Sequence, residues 1–163
     1  RIPCWGFLFR EKTKQRKVDP KLAYQAGIPP DFFSHLKDGE DYILPDGRKI
    51  LNADVTKPGI PALSYAYCAD TRYDEKLINI VADVNLMYHE ATYLDDQREK
   101  AIERFHSTAK QAAELALQAN VKKLLLGHFS SKYETLDVFR EEAATVFSNV
   151  EACKEGVTYL AGN

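Results

Sequence analysis

The residues with the most chemistry to offer follow directly on short apolar runs. Leu63–Cys68 leads into Ala69-Asp70-Thr71-Arg72, Val84–Tyr88 into His89-Glu90-Ala91-Thr92, and Val121–Leu126 into Gly127-His128-Phe129-Ser130-Ser131-Lys132-Tyr133. A fourth group, His106-Ser107-Thr108, opens an alanine-rich stretch. Neutral imidazole and carboxylate together suit zinc, and one carboxylate can bridge two ions, which makes Asp70 and His128 candidate ligands. Zinc takes about four donors, and no HxH or HExxH pair occurs to supply them, so the rest of the shell is expected from outside these residues. Glu90 and His106 suggest a different pairing. A carboxylate accepting a hydrogen bond from an imidazole fixes its tautomer and raises its basicity, which suits the histidine to protonate a leaving oxygen. The plainer alternative is that Glu90 only caps a turn or pairs with a lysine or arginine. Ser130, Lys132 and Tyr133 offer hydroxyls and a cation suited to a phosphate, or else form an ordinary polar loop.

Positioning these groups requires a sheet. The three apolar runs read as buried strands, and helices are expected at about 74–82, 95–104, 108–119 and 135–147. Ala109, Ala112, Ala113, Ala116 and Ala119 recur at helical spacing and suit close packing on a sheet, as do Leu136, Phe139, Ala143 and Val146 in the last helix. Alternation of strand and helix places the chain in the α/β class. In open α/β sheets ligands bind beyond the carboxyl ends of the strands, so the three polar strand ends are expected to face one crevice. His106 leans over the same rim, with Ser107 or Thr108 capping the helix that follows. Val150–Cys153 and Val157–Leu160, separated by Lys154-Glu155-Gly156, read as a closing strand pair.

The 163 residues, 45% hydrophobic and 28% charged, are enough for one core-forming domain. A net charge of −2 argues against a uniformly basic nucleic-acid coat, though not against a local basic patch. No run reaches the ~18 apolar residues of a membrane span, and the start has no secretory-signal pattern. Cys4, Cys68 and Cys153 form no CxxC pair and are odd in number, which points to a reducing, cytoplasmic compartment. The chain opens on Arg1, and the nearly continuous apolar run 2–9 reads as an interior strand, so the expectation is a longer protein entered in mid-strand. Residues 10–62 differ in texture: prolines at 20, 29, 30, 45, 58 and 61, poor apolar periodicity, and little expected packing. Their first section carries Arg10, Lys12, Lys14, Arg16, Lys17 and Lys21 against only Glu11 and Asp19. A short helix from Pro20 to Gly27, N-capped by Asp19, and a hairpin around Pro45-Asp46-Gly47 are expected there. Two readings fit the segment: a solvated excursion between two strands, or an arm built to hold a polyanion.

The set CADTR (68–72), HEAT (89–92), ERFHSTAKQAAE (103–114) and GHFSSKY (127–133), in this order and spacing, resembles ribonuclease Z, a zinc-dependent endonuclease family of the metallo-β-lactamase superfamily that trims the 3′ trailer of precursor tRNA. The resemblance runs from Ile2 to about Val150. It implies a metallo-β-lactamase-like αβ/βα sandwich, of which 1–9 and 63–163 form the C-terminal half and 10–62 an inserted flexible arm that grips the tRNA body. It further implies two zinc ions per complete site and a homodimer.

Carried over by position, Asp70 corresponds to the carboxylate bridging the two zinc ions and His128 to a terminal ligand. His106 corresponds to the proton-donating histidine and Glu90 to its orienting carboxylate. His89 falls beside the ligands rather than among them, while Ser130, Lys132, Tyr133 and Arg72 fall near the substrate phosphate. The HxHxDH motif that supplies most of the family's ligands is absent from these residues, and Lys132 stands where arginine is more common, exchanging a bidentate grip for a point charge. The expected activity is therefore that of a complete protein rather than of these residues in isolation. A hydrolase of the same fold acting on another phosphodiester or ester, and a non-catalytic RNA-binding module, are the alternatives.

Overall fold

The computed structural model describes residues 4–162, in two compact units: Glu11–Ala62, and the residues on either side of that segment. The larger unit is built on five strands, β1 (Phe7–Arg10), β2 (Ser64–Cys68), β3 (Leu86–Glu90), β4 (Lys123–Gly127) and β5 (Val150–Ala152), lying side by side in that order. Strands β2 to β5 are mutually parallel and β1 is antiparallel to β2. Four helices accompany them: α1 (Lys76–Ile80), α2 (Arg98–Arg104, entered through a 3-10 turn at Asp95–Gln97), α3 (Ala109–Gln118) and α4 (Asp137–Ala144).

The period-two pattern of the central strands decides which face is core. Ala66 and Cys68 of β2, Met87 of β3, and Leu124 and Leu126 of β4 are buried together with Ala109, Ala112, Ala113, Leu115 and Ala116 of α3 and with Phe139 and Ala143 of α4. Small side chains on α3 let its backbone approach the sheet closely, and Thr108 starts the helix with a reciprocal cap: its hydroxyl accepts from Gln111 N–H while the Gln111 side chain accepts from Thr108 N–H. On the opposite face the tyrosines of neighbouring strands stack, Tyr67 on Tyr88 with ring centroids 4.8 Å apart.

The run 2–9 contributes β1, paired antiparallel with β2 from Phe7↔Tyr67 to Arg10↔Ser64; Ile2 and Pro3 lie outside the described residues. Two expectations are corrected. The closing pair forms only in part: Val150–Ala152 joins the sheet beside β4 through Leu124↔Val150, whereas Val157–Leu160 forms no strand. The parallel ladder of β4 offers β5 a partner, which a local hairpin cannot outcompete once Gly156 turns the chain at φ 76°. The third strand runs to Glu90 rather than stopping at Tyr88, because pairing continues through His89↔Leu126 and Glu90↔Gly127.

Glu11–Ala62 packs more than its prolines suggested. Helix Pro20–Gln25 begins at Asp19, whose carboxylate accepts from Leu22 N–H, and Gly27 follows its end at φ 78°. Helices Phe33–Asp38 and Asn52–Val55, with the strand pairs Lys17–Val18/Thr56–Lys57 and Tyr42–Ile43/Lys49–Ile50, complete the unit. Ala23, Ile28, Leu36 and Val55 form a core of its own. Asn52 ties the centre together: its amide donates to the carbonyls of Leu36 and Glu40, and its own carbonyls, main-chain and side-chain, accept from Thr56 Oγ1.

Candidate active site

The carboxyl ends of β2, β3 and β4 meet the turn into α3, and four groups converge there. One ligand-type atom from each of Asp70, Glu90, His106 and His128 lies within 4.8 Å of the others. Asp70 follows β2 at φ 53° and His128 follows β4 at φ 58°, both in the left-handed region, and Phe105, at φ 63°, turns the chain just before His106. Left-handed backbone at non-glycine residues is held only where the surroundings over-determine it, and three of these positions border one crevice.

The cluster divides into two kinds of group. Glu90 is fully buried and its oxygens are committed: Oε1 accepts from His106 Nδ1 at 2.8 Å, and Oε2 accepts from the Thr92 amide at 3.0 Å and the Thr92 hydroxyl at 2.8 Å. Asp70 and His128 are about half exposed, and Asp70 Oδ1 lies 3.8 Å from His128 Nε2. Two donors on one tetrahedral ion at ~2.1 Å bond lengths stand about 3.4 Å apart, so this pair has the chemistry and the spacing to hold a metal. Among the described residues it is a partial ligand set, with Glu90 and His106 already engaged with each other. His106 also lies 3.5 Å from Asp70 Oδ1, and its ring is 5.3 Å from that of His128.

His89 goes elsewhere. It is fully buried on the helix-covered side of the sheet, alternating with Glu90, and its Nδ1–H donates to the Glu90 carbonyl at 2.7 Å. Burial in apolar surroundings pushes its pKa down, which keeps the ring neutral.

The residues expected near a phosphate are distributed around the rim. Ser130 N–H donates to the Thr92 carbonyl, which docks the β4 loop on the β3 exit, and Ser130 and Tyr133 line a depression with His128. The Tyr133 hydroxyl already accepts from Leu94 N–H at 3.1 Å, and its ring packs edge-on against Phe139. Lys132 Nζ sits over the rings of Tyr93 (5.4 Å) and Tyr133 (4.5 Å), and the Tyr93 ring is edge-on to His106. Arg72, over the Phe105 ring, shares a second depression with His106.

Sequence reasoning passed over four contributors. Thr92 bonds Glu90 and also His128 Nδ1, at 2.9 Å. Ser107 donates to the Thr71 carbonyl and so holds the loop that carries Asp70. Tyr93 forms the platform between Lys132 and His106. Cys4 Sγ stands 3.7 Å from Asp70 Oδ2, across 66 positions of sequence. Only Thr92 had a local signal, a hydroxyl two residues after a strand-end carboxylate.

No family model matches the chain. Over 155 residues, 95% of its length, it is 44% identical to the ribonuclease Z of Porphyromonas gingivalis W83 and covers 51% of that protein. Over 157 residues it is 40% identical to the ribonuclease Z of Parabacteroides distasonis, covering 52% of it. Among solved structures, the metallo-β-lactamase fold protein YhfI from Bacillus subtilis matches with a TM-score of 0.55 and 26% identity, over 72% of this chain and 46% of that one. The chain thus spans about half the length of the curated relatives it matches. Its mixed α/β architecture with a parallel sheet is shared with a metallo-β-lactamase fold protein, and along 95 to 100% of its own length the chain is a homologue of the curated ribonucleases Z.

Proposed function

We propose that the complete protein to which these residues contribute is a zinc-dependent endoribonuclease that hydrolyses the phosphodiester at the 3′ trailer of precursor tRNA. The convergence of Asp70, Glu90, His106 and His128 at the strand ends, in a chain homologous to ribonucleases Z, carries the reading. Asp70 and His128 would hold the metal, and their carboxylate and imidazole donors suit zinc. What bound zinc supplies is Lewis-acid stabilisation of charge at phosphorus and a nucleophilic water at neutral pH.

The remaining steps belong to the protein's own side chains. His106, held through Nδ1 by Glu90, presents Nε2 to the leaving 3′ oxygen and donates the proton it needs to depart. The buried Glu90 carboxylate holds the ring in the orientation that this donation requires. Lys132, Arg72, Ser130 and Tyr133 steer and seat the phosphate. His89 acts on none of these atoms but fixes the Glu90 backbone. Residues 1–9 and 63–163 make up the C-terminal half of the catalytic domain, and 10–62, with its basic first section, is the insertion that grips the tRNA body. A homodimer working in the cytoplasm completes the reading.

The test is cleavage of a precursor tRNA by the full-length protein, with and without a chelator. Chelator-sensitive release of the trailer, lost in Asp70→Ala and His128→Ala, is the expected result. Undiminished cleavage in either variant overturns the assignment, and turnover of a simple phosphodiester without any preference for precursor tRNA transfers the site to another substrate.

A further inference from the structure

Proton counting around Glu90 reaches further than the Glu90–His106 pair. Oε2 of this fully buried carboxylate accepts from both the amide and the hydroxyl of Thr92. A threonine hydroxyl has one proton to give, and in the bond to Glu90 Oε2 it is spent on the carboxylate. Thr92 Oγ1 also lies 2.9 Å from His128 Nδ1. With no proton left to give, the oxygen accepts there, and the proton between them belongs to His128 Nδ1. In its neutral form the His128 ring therefore carries its proton on Nδ1 and leaves Nε2, the nitrogen 3.8 Å from Asp70 Oδ1, with a bare lone pair.

We propose that Thr92 is a positioning residue that sets the His128 tautomer through Glu90, so that one buried carboxylate orients both the His106 and His128 imidazoles. Thr92 is itself buried, at 7% exposure, and its amide bond to Glu90 holds the hydroxyl in place. Its main-chain carbonyl accepts from Ser130 N–H, which fixes the loop carrying His128 relative to the Thr92 hydroxyl. The two histidines of the crevice are thereby coupled: any change that moves the Glu90 carboxylate disturbs the proton on His106 and, through one hydroxyl, the proton on His128. The role of His128 as a metal ligand rests on the reading above; the position of its proton does not.

The experiment uses the full-length protein with Thr92→Val, which keeps the shape and the amide bond but removes the hydroxyl, and Thr92→Ser, which restores it. Long-range proton–nitrogen NMR of the metal-free protein at about pH 8.5 reads the His128 tautomer, with the signal assigned by its loss in His128→Asn. Zinc affinity is read separately by chelator competition. Unmutated protein and Thr92→Ser are expected to show the Nδ1–H form, and Thr92→Val to shift toward Nε2–H with zinc affinity weakened roughly 10- to 100-fold. An Nδ1–H tautomer retained in Thr92→Val overturns the proposal, whatever happens to affinity. A tautomer that follows Thr92 in a protein binding no zinc supports the hydrogen-bond assignment and overturns the metal reading instead.

Discussion

Glu90 Oε1 and His106 Nδ1, 16 positions apart in sequence, meet at 2.8 Å, with the carboxylate fully buried and the imidazole at the crevice edge. In Glu90→Gln the amide oxygen remains the natural acceptor for the two Thr92 donors, which turns the NH2 group toward His106. The imidazole then accepts at Nδ1, which places its proton on the wrong side of the ring relative to the Glu90-bonded form. A fall in kcat of roughly 10²- to 10⁴-fold with little change in KM is expected in precursor tRNA cleavage by the full-length protein.

The proposed proton donation by His106 makes the cost of its loss depend on the leaving group. His106→Ala should lower cleavage of an ordinary phosphodiester by about 10²- to 10⁴-fold. A substrate with sulfur in place of the leaving 3′ oxygen departs without a proton and should lose less than about tenfold. Equal losses on both substrates would assign His106 to metal or phosphate binding instead.

His89 makes folding sensitive to acid. Burial holds its folded-state pKa below the unfolded value near 6.5, so the unfolded chain takes up a proton that the folded chain resists. Its effect on stability is level above about pH 6.5 and becomes unfavourable as pH falls from there toward the depressed folded value. Chemical denaturation of the full-length protein at a series of pH values should show His89→Phe with a shallower acid loss, the difference approaching about 1.4 kcal/mol per pH unit.

Gly127 precedes His128 and faces the Tyr88 ring so closely that a Cβ at this position would overlap its Oη and Cζ atoms. Gly127→Ala should destabilise by about 1–3 kcal/mol, and Tyr88→Ala in the same chain should recover most of that loss in denaturant titrations. Additive losses in the double variant would place the strain in the backbone instead.

The three cysteines should differ in reactivity. Burial pushes the Cys68 and Cys153 thiols up to about 11, whereas Cys4 is exposed. The thiolate is the nucleophile, so mass spectrometry after brief alkylation at about pH 8 should find Cys4 modified well ahead of the other two.

Much of the layout of the candidate site was legible because it is local. Apolar runs ending in Asp70, Glu90 and His128 already named the three strand ends, and the alanine spacing of 109–116 announced a helix that packs on a sheet. The end of the third strand was not legible: His89 and Glu90 carry no periodic cue, and only the ladder to Leu126 and Gly127 extends the strand through them. The core of Glu11–Ala62 was hidden for a similar reason. Ala23, Ile28, Leu36 and Val55 lie too far apart and too irregularly to form a stripe, and they meet only once several short elements have turned on one another.

Residue types and their order determined the chemistry on offer: two imidazoles, two carboxylates and a rim of hydroxyls and cations at the ends of parallel strands. The tertiary structure decided how that chemistry is divided. Side-chain type cannot say which carboxylate is free, since Asp70 and Glu90 read alike in sequence. Burial and three hydrogen bonds commit Glu90 to its neighbours, while exposure leaves Asp70 facing His128. The same holds for the two histidines, whose hydrogen-bond partners lie 16 and 36 positions away in the chain and meet them only after the strands have been laid side by side.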